Sequence, residues 1–525
     1  MKITDFISAG FSSLLLILAF PNYNLWPLAW FGMIPLFIAV HNKTPLQSFW
    51  LGWAQGILFY LGTLSWIINT MVNYGRLPLS VSIFLLIVLA LYLGAYTGLF
   101  CFFLSCFSHP KVHKWLAASF IWVSLEYVRA HFLTGFPWAS LAYSQFNFLS
   151  VIQIVDITGI YGLSFLIVFI NVIFFLILDY FYSFQPEKME LSIFGNYVGV
   201  AVLLIFVTLG YGFWKNFSFG SRTGKKSLKV ALLQGNIEQN HKWDPVYQKM
   251  VYKTYQDMTL KAAGSDPNLI VWPETATPFN FSSDIVNQKK LLQLGKESNS
   301  NILFGSPSYT EQRKDITLFN SAYLISPEKK VLGRYDKIHL VPFGEYVPLK
   351  KLLFFVDKMV TGIGNFGSGT EYTVFSIPDA KLSVLICFEV IFPDLVRRFV
   401  KAGAEFLVNI TNDAWFGKSA ASYQHISMVV FRAVENRRPT IRAANTGITG
   451  IIDSRGKIIS QTDIFVRDKI IGNIFPENNY RTFYTLYGDI FAIAILFCTI
   501  VYGGFSFYRG KRKQRWKKNR SISNS

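Results

Sequence analysis

The chain has 525 residues, of which 52% are hydrophobic, 17% aromatic and only 15% charged. This composition excludes a disordered chain and a small disulfide-stabilised scaffold, and it argues against a single soluble domain. The net charge is +19, and residues 486–525 contain eight Lys or Arg and one acidic residue. A basic cluster after an apolar run is typical of a cytoplasmic membrane flank, and without a stacking platform beside it we expect no nucleic-acid partner.

Eight apolar stretches along the chain are candidates for membrane-spanning helices. The first two are short and are separated by Pro21, which predicts a tight hairpin through Pro21–Asn24 rather than two full-length helices. The first stretch has a second interpretation as a signal peptide, although Ala19–Pro21 is a poor cleavage site. The eight stretches are Ser8–Phe20, Leu25–Val40, Phe49–Asn69, Leu77–Phe107, Trp115–Phe132, Ile160–Phe184, Ile193–Phe213 and Ile490–Tyr508.

Seven of these stretches precede a polar segment and one follows it, so the segment and the C-terminus are predicted on opposite sides of a membrane. The positive-inside rule places the basic tail in the cytoplasm, together with the loops that contain Lys43 and Lys111. We therefore expect a membrane domain at 1–217, a periplasmic domain at 218–485, and a last span with a cytoplasmic tail at 486–525.

Short β-rich runs alternate with helical stretches in the polar segment, which predicts a layered α/β fold. The runs are Lys229–Gln234, Leu269–Trp272, Ile302–Gly305, Lys381–Ile386 and Glu405–Ile410.

Cys387 is the only cysteine of the polar segment, so it has no partner for an internal disulfide there. It follows a buried-strand pattern, and Pro393 six residues later suits the first turn of a helix. A strand-to-helix turn can present a nucleophile and leave backbone N–H groups free for an oxyanion. The alternative is a buried structural cysteine.

Two further residues can supply the base and the cation that a cysteine nucleophile needs. Glu274 follows a predicted strand, and Lys337 lies in a stretch rich in aromatic and turn-forming residues. Taken alone, each residue is better explained as an ordinary exposed charge. A thiol with a pKa of about 8.5 needs a base or a cation beside it near neutrality. Glu274 can take the thiol proton, and Lys337 can stabilise the thiolate and then the oxyanion.

The motifs WPET, KIHLVPFGEYVP, CFE, TNDAWFG and AANTGITG resemble the nitrilase superfamily. With Glu126–Arg129, Thr134–Trp138 and Asp156–Gly162 they resemble its membrane-integrated branch, the apolipoprotein N-acyltransferase family of Gram-negative bacteria. This resemblance covers nearly the whole chain. It implies a polytopic α-helical protein of the inner membrane, with about eight spans and an extracytoplasmic nitrilase-like αββα sandwich domain.

The resemblance also assigns residues to roles. It implies that Glu274, Lys337 and Cys387 form a catalytic triad. By the same resemblance, the following positions handle substrate or support the triad: Trp243, Glu345, Phe388 and Glu389. The tryptophan can instead be a packing residue, and the two glutamates can form structural salt bridges. Phe388 stands where the family often has Tyr, so only its backbone N–H is expected to serve the oxyanion.

The implied reaction moves a fatty acyl chain from a membrane phospholipid, through a thioester on Cys387, to the α-amino group of a diacylglyceryl-modified apolipoprotein. The resemblance implies no cofactor and a monomeric enzyme. His339 and His425 do not suggest a metal site, because no carboxylates or thiols are clustered with them at ligand spacing.

Three features related to the membrane each have a functional and a purely structural interpretation. Glu126 and Arg129 can pair on one helix face, either as structure alone or also meeting lipid headgroups. The aromatic segments 351–360 and 413–417 are candidate lids that exclude water, or simple core packing.

Two other functions compete with acyl transfer to an amine. A membrane-anchored amidase or nitrile hydrolase would pass the acyl group to water, although an anchor needs only one span. A polytopic transporter with a vestigial sensory domain is the second alternative, but few charges line the spans and no inverted repeat is visible.

Overall fold

The computed structural model describes residues 1–106, 111–182, 191–220, 226–239, 242, 244, 246–312, 315–347, 366–477 and 480–505. The chain forms two compact units. The first comprises residues 1–65, 84–213 and those from 489 onward, and the second comprises 66–83 and 214–488. Trp243, the candidate lid at 351–360 and the basic tail after Phe505 lie outside the described residues.

The N-terminal half of the chain is helical throughout. Its helices are α1 Ile3–Ala19, α2 Ile34–Val40, α3 Pro45–Thr63, α4 Ile67–Asn73, α5 Leu79–Cys106, α6 Lys111–His131, α7 Leu149–Ile152, α8 Val155–Tyr182 and α9 Leu191–Gly220. The short helix α4 and the first residues of α5 belong to the second unit.

The predicted N-terminal hairpin is confirmed. The chain leaves α1, turns, and returns through a 3₁₀ helix at Trp26–Trp30 into α2. Backbone N–H of Leu25 donates to the carbonyl of Leu18 at 3.0 Å. Further along, the Ser12 hydroxyl donates to the carbonyl of Gly32 at 2.7 Å, so the two arms run antiparallel.

Among the described residues, three helices are long and apolar enough to cross a membrane, namely α5, α8 and α9. A fourth is counted when α3 and α4 are taken as one broken span. Helix α1 and residues Trp26–Val40 form apolar helices that are shorter. Helix α6 carries charged residues that include Glu126 and Arg129. The count of eight spans therefore stays a prediction.

Asn171 is a buried polar link inside the first unit. Its side-chain Nδ2 donates to the carbonyl of Ala29 at 2.8 Å, and its Oδ1 accepts from the backbone N–H of Met33 at 2.9 Å. Helix α8 is thereby tied to the second arm of the hairpin. In an apolar surrounding, these bonds satisfy backbone groups that would otherwise lie unpaired where the 3₁₀ helix gives way to α2.

The second unit contains two six-stranded sheets and the remaining helices. Its strands are β1 Leu228–Gln234, β2 Leu269–Val271, β3 Asn301–Gln312, β4 Asp315–Ile325, β5 Val331–Asp336, β6 Phe375–Ile377, β7 Ala380–Ile386, β8 Phe406–Thr411, β9 Thr440–Ala444, β10 Gly450–Ile452, β11 Ile458–Gln461 and β12 Asp468–Ile474. Its helices are α10 Gln248–Ala263, α11 Ile285–Ser298, α12 Pro393–Ala402, α13 Ala420–Asn436 and α14 Phe483–Tyr487. The last helix, α15 Ile490–Phe505, returns to the first unit.

Each sheet has a parallel centre and antiparallel edges. The strand orders are β12-β1-β2-β3-β4-β5 and β11-β10-β9-β8-β7-β6. The parallel triplets β1-β2-β3 and β7-β8-β9 contain all five runs that the sequence predicts as strands, so those predictions are confirmed.

The two sheets pack face to face with helices outside them, which makes an α/β sandwich. Helices α10 and α11 share an apolar core with the first sheet, while α12 and α13 pack on the second. The side-chain Oε1 of Gln234 on β1 accepts hydrogen bonds from Thr449 at 2.7 Å and Thr462 at 2.8 Å. This polar bridge fixes the register of one sheet against the other.

Replacing Asn171 by Ala is expected to lower the free energy of unfolding by about 2 kcal/mol, because it leaves the amide of Met33 and the carbonyl of Ala29 unpaired in an apolar environment. The thermal midpoint in detergent measures this loss. Asn196, exposed on α9, is the matched control. An equal loss in Asn196→Ala would contradict the assigned role.

Candidate active site

Cys387 lies where strand β7 ends, as the sequence predicts. A 3₁₀ helix at Cys387–Ile391 follows, and Pro393 begins α12. The backbone of Cys387 has φ of +54°, a left-handed conformation that is unfavourable for a residue with a Cβ. This sharp turn lifts the thiol from the strand direction, and the surrounding structure must hold it there.

Polar groups behind the turn hold it in place. The side-chain Nδ2 of Asn409 on β8 donates to the carbonyls of Leu385 at 3.0 Å and Cys387 at 3.5 Å. The carboxylate of Glu389 accepts from the backbone N–H of Ile386 at 2.7 Å. Both ends of the turn are thus anchored to buried side chains.

Glu274 stands two residues beyond the Trp272 that continues β2, and its carboxylate is fixed by two donors. Oε1 accepts from Nδ2 of Asn320 at 2.8 Å, and Oε2 accepts from the backbone N–H of Asn412 at 2.9 Å. A glycine at position 305 lets the strands approach here, since a Cβ at that position would lie 2.7 Å from the Cα of Glu274. The carboxylate therefore has one defined orientation.

Lys337 follows β5 and is almost completely buried. Its backbone N–H donates to the carbonyl of Asn320 at 2.9 Å, and its Nζ lies 2.9 Å from both carboxylate oxygens of Glu345. Burial lowers the pKa of Lys337, but the negative charges of Glu345, Cys387 and Glu274 outweigh it, so the net pKa lies above its ordinary value. The ammonium is therefore charged at neutral pH.

The thiol of Cys387 is protonated at rest. Burial raises its pKa to about 12, with a further increase from Glu274 and an opposing effect from Lys337. Asn320 bonds both Glu274 and Glu345, Glu345 pairs with Lys337, and the thiol interacts with the charges of Glu274 and Lys337, so the structure places the three predicted triad residues in one site. Such a thiol needs a base at the moment of attack, and Glu274 is the carboxylate whose charge acts most strongly on it.

The supporting residues that the sequence indicates take different places. Glu345 pairs with Lys337, while Glu389 accepts hydrogen bonds from the Tyr335 hydroxyl at 2.6 Å and the backbone N–H of Ile338 at 2.8 Å. Glu389 thus joins the cysteine turn to the loop that carries Lys337. The ring of Phe388 packs against Phe392 and His339. Trp243 lies outside the described residues.

The two histidines considered as metal ligands from the sequence, His339 and His425, contact neighbouring side chains. His339 stacks on the ring of Phe392, with centroids 3.7 Å apart. His425 lies with its Nδ1 3.2 Å from Asp413, and Arg442 pairs with Asp413 at 2.7 Å. Both histidines serve packing or hydrogen bonding around the cysteine turn.

The sequence analysis missed two buried residues of the site. Asn320 on β4 donates from one nitrogen to Glu274 and, at 2.9 Å, to Glu345, so it separates the two carboxylates. Lys242 donates from Nζ to the backbone carbonyl of Glu274 at 2.8 Å. Asn320 lies in an antiparallel strand that carries no motif, whereas Lys242 directly precedes Trp243 and was within reach of sequence reasoning.

The candidate lid at residues 413–417 is firmly held within the second unit. Residues Asp413–Phe416 form a 3₁₀ helix, and the carbonyl of Trp415 accepts from Asn69 at 3.2 Å and from Thr70 at 2.9 Å on α4. The Tyr74 ring packs on that of Trp415. The same residues therefore anchor α4 to the sandwich.

The predicted pair of Glu126 and Arg129 forms inside the first unit, with 3.9 Å between charged atoms. Arg129 also donates to the carbonyl of Trp138 at 2.7 Å and to Ser140 at 3.1 Å. The pair is therefore structural and fixes the loop after α6. Contact with lipid headgroups stays a prediction.

Two protein families and several known proteins are similar to this chain. The family described as the apolipoprotein N-acyltransferase N-terminal domain matches residues 12–173, and the carbon-nitrogen hydrolase family matches residues 229–479. An apolipoprotein N-acyltransferase of Geobacter metallireducens is 43% identical over 96% of this chain and 96% of its own. One of Haemophilus influenzae is 32% identical over 97% and 96%. A solved amidase from Nesterenkonia sp. is 18% identical, with a TM-score of 0.37, covering 49% of this chain and 92% of its own.

His339 gives the site a testable pH dependence. Burial and then the charge of Lys337 lower its pKa to about 4, whereas the unfolded chain takes up the proton near 6.5. The contribution of His339 to the free energy of unfolding is therefore fully present above pH 6.5 and is lost as the pH drops toward 4. Between pH 7.5 and 5 this loss is at most about 2 kcal/mol. Thermal melts of His339→Gln and His339→Phe should show a smaller acid loss than wild type, and an unchanged loss in both would refute this.

Proposed function

The chain belongs to the apolipoprotein N-acyltransferase family, and we propose that it transfers a fatty acyl chain from a membrane phospholipid to the α-amino group of a diacylglyceryl-modified apolipoprotein. The observation that carries this proposal is the buried convergence of Cys387, Glu274 and Lys337 at a strained turn. A protonated thiol beside an oriented carboxylate and a fixed ammonium suits acyl transfer through a thioester.

In the first half-reaction, the sulfur of Cys387 attacks the ester carbonyl of the phospholipid while the Glu274 carboxylate takes the thiol proton. Negative charge develops on the carbonyl oxygen, where the Lys337 ammonium and the backbone N–H of Phe388 can stabilise it. The tetrahedral intermediate collapses, the C–O bond breaks, and Glu274 returns the proton to the leaving alkoxide. The products are a lysophospholipid and an acyl thioester on Cys387.

In the second half-reaction, the neutral amine of the apolipoprotein attacks the thioester carbonyl. Glu274 takes a proton from the attacking nitrogen, the C–S bond breaks, and the thiolate leaves and is reprotonated. The stable product is an amide, so transfer from the thioester is downhill. A ping-pong sequence of this kind lets two lipid-bearing substrates use the site one after the other.

The membrane arrangement is part of the proposal. We infer that residues 1–217 form a membrane domain of seven spans, that 218–485 form the periplasmic catalytic domain, and that 486–525 form a last span and cytoplasmic tail of an inner-membrane monomer. Three long apolar helices, α5, α8 and α9, support membrane insertion. An acyl donor that is itself a lipid explains why an acyl-transfer site would be joined to such helices.

Hydrolysis is the competing outcome, because water can also attack a thioester. Burial of the reacting groups opposes it, since Glu274 is 7% exposed and Cys387 is 9% exposed. An amidase would release free fatty acid or ammonia and leave lipoprotein amines unmodified. Incubating the purified protein with phospholipid and a diacylglyceryl peptide separates these two reactions by their products.

Incubation with radiolabelled phospholipid should place a hydroxylamine-sensitive acyl label on the wild-type protein. Cys387→Ala should take up no label, because it lacks the sulfur, and adding the diacylglyceryl peptide should move the wild-type label to the peptide. Gel autoradiography with and without hydroxylamine measures both steps. Equal labelling of wild type and Cys387→Ala would exclude the thioester.

Lys337→Arg should lower the rate of acyl-label formation at least tenfold. The positive charge survives, but the larger, planar guanidinium does not fit the buried position of the compact ammonium, since Lys337 is 1% exposed, and it cannot hold its charge where Nζ lies. Single-turnover labelling measures the effect, and Lys289→Arg, exposed on α11, is the control. A near-normal rate in Lys337→Arg would remove Lys337 from the reaction.

A further inference from the structure

Lys242 is a second buried lysine of the site, and no motif assigns it a role. It lies between β1 and α10 and is 2% exposed. Its Nζ donates to the backbone carbonyl of Glu274 at 2.8 Å. Among the described residues it forms no ion pair with a carboxylate, in contrast to Lys337, which Glu345 holds at 2.9 Å.

The charge of Lys242 acts on the reacting groups. Burial lowers its pKa to about 8, and the charges of Glu274 and then Cys387 partly oppose that decrease. The interaction is mutual, so a charged Lys242 stabilises negative charge on the carboxylate and on the sulfur. An ammonium group costs much free energy to bury without a carboxylate partner, so this position is unfavourable unless the site uses the charge.

A count of charges shows what Lys242 contributes. The carboxylates of Glu274 and Glu345 and the ammonium groups of Lys337 and Lys242 balance when the thiol is neutral. Moving the thiol proton to Glu274 keeps the balance, because one negative charge passes from oxygen to sulfur. Release of the thiol proton to solvent takes the buried cluster from neutral to one negative charge with Lys242, but from one to two negative charges without it, so loss of Lys242 disfavours the thiolate.

The other charged groups near the cysteine do not replace Lys242. Asp413 acts on Cys387 from the segment after β8, but Arg442 pairs with it at 2.7 Å. Glu389 acts on Lys337 and is occupied by hydrogen bonds from Tyr335 and three backbone N–H groups. Burial lowers the pKa of His425, so its ring stays neutral and adds no charge to the site.

We propose that Lys242 is a positioning residue. Its ammonium group, held on the Glu274 carbonyl, balances the charge of the buried carboxylates and lowers the free energy of forming the Cys387 thiolate. This inference rests on the proposed role of Cys387 as the nucleophile. Lys242 acts on the reaction through Glu274 and Cys387, and its charge is what matters. Lys337 remains the group that contacts the oxyanion.

The test is the pH profile of Cys387 alkylation by iodoacetamide in the full-length protein in detergent, quantified on the Cys387 peptide by mass spectrometry. Lys242→Gln keeps a hydrogen-bond donor but loses the charge, so its alkylation rate should be about tenfold lower than that of wild type at pH 7.5, and the two profiles should converge at higher pH, where wild-type Lys242 is itself neutral. Lys242→Arg keeps the charge and should follow wild type closely.

Lys253→Gln, which removes an exposed charge on α10, should leave the profile unchanged. If Lys242→Gln does not fold, Lys242→Met removes the same charge with an apolar chain of similar length. A wild-type profile in a folded Gln or Met variant would overturn the proposal, as would an Arg variant displaced as far as Gln.

Alkylation needs no lipid, so this result is independent of the proposed acyl transfer. A wild-type protein that takes no label from phospholipid would refute the proposed function and leave the alkylation profiles interpretable. A normal phospholipid label with no effect of Lys242→Gln on the profile would refute only the role of Lys242.

Discussion

The second unit depends on a charge-balanced cluster buried where strands of both sheets end. Glu274 comes from the first sheet and Cys387 from the second, and the backbone N–H of Asn412 bonds the carboxylate across the sandwich at 2.9 Å. Isolated charges could not be buried at this depth, because the loss of hydration would exceed any packing gain. Opposite charges and amide donors offset this loss of hydration, so charged groups can be buried in a site that excludes water.

The same polar links define the geometry of the sandwich. Asn320 spaces the carboxylates of Glu274 and Glu345, and Glu389 connects the cysteine turn to the Lys337 loop. Each of these side chains has its position set by at least two hydrogen bonds. The strained backbone of Cys387 persists because such anchors surround it on both sides. Stability and reactivity therefore draw on the same residues.

Exclusion of water is the requirement that links the family to the chemistry proposed for the site. In the proposed reaction, an acyl group that enters as a lipid ester and leaves as an amide must be protected from water while it is a thioester. The burial of Cys387 and Glu274 meets this requirement, and the long apolar helices α5, α8 and α9 suit a substrate that resides in a bilayer. Inside the first unit, polar side chains such as Asn171 and Arg129 are occupied by backbone carbonyls, which is how polar groups are tolerated in apolar surroundings.

The sequence alone determined five of the six parallel core strands and the turn that carries Cys387, because buried strands read as unbroken apolar runs and motifs follow directly after them. The catalytic roles of Glu274, Lys337 and Cys387 stay a prediction. The antiparallel strands β4 and β5 escaped detection, since they are partly exposed and carry mixed residues. Among the described residues, fewer helices are long and apolar enough to cross a membrane than the eight apolar stretches that the sequence predicts as spans, because some of those stretches form helices that are short or that carry charged residues. Only the tertiary structure brought Asn320 and Lys242 to Glu274, because those contacts join strands and loops that are distant along the chain.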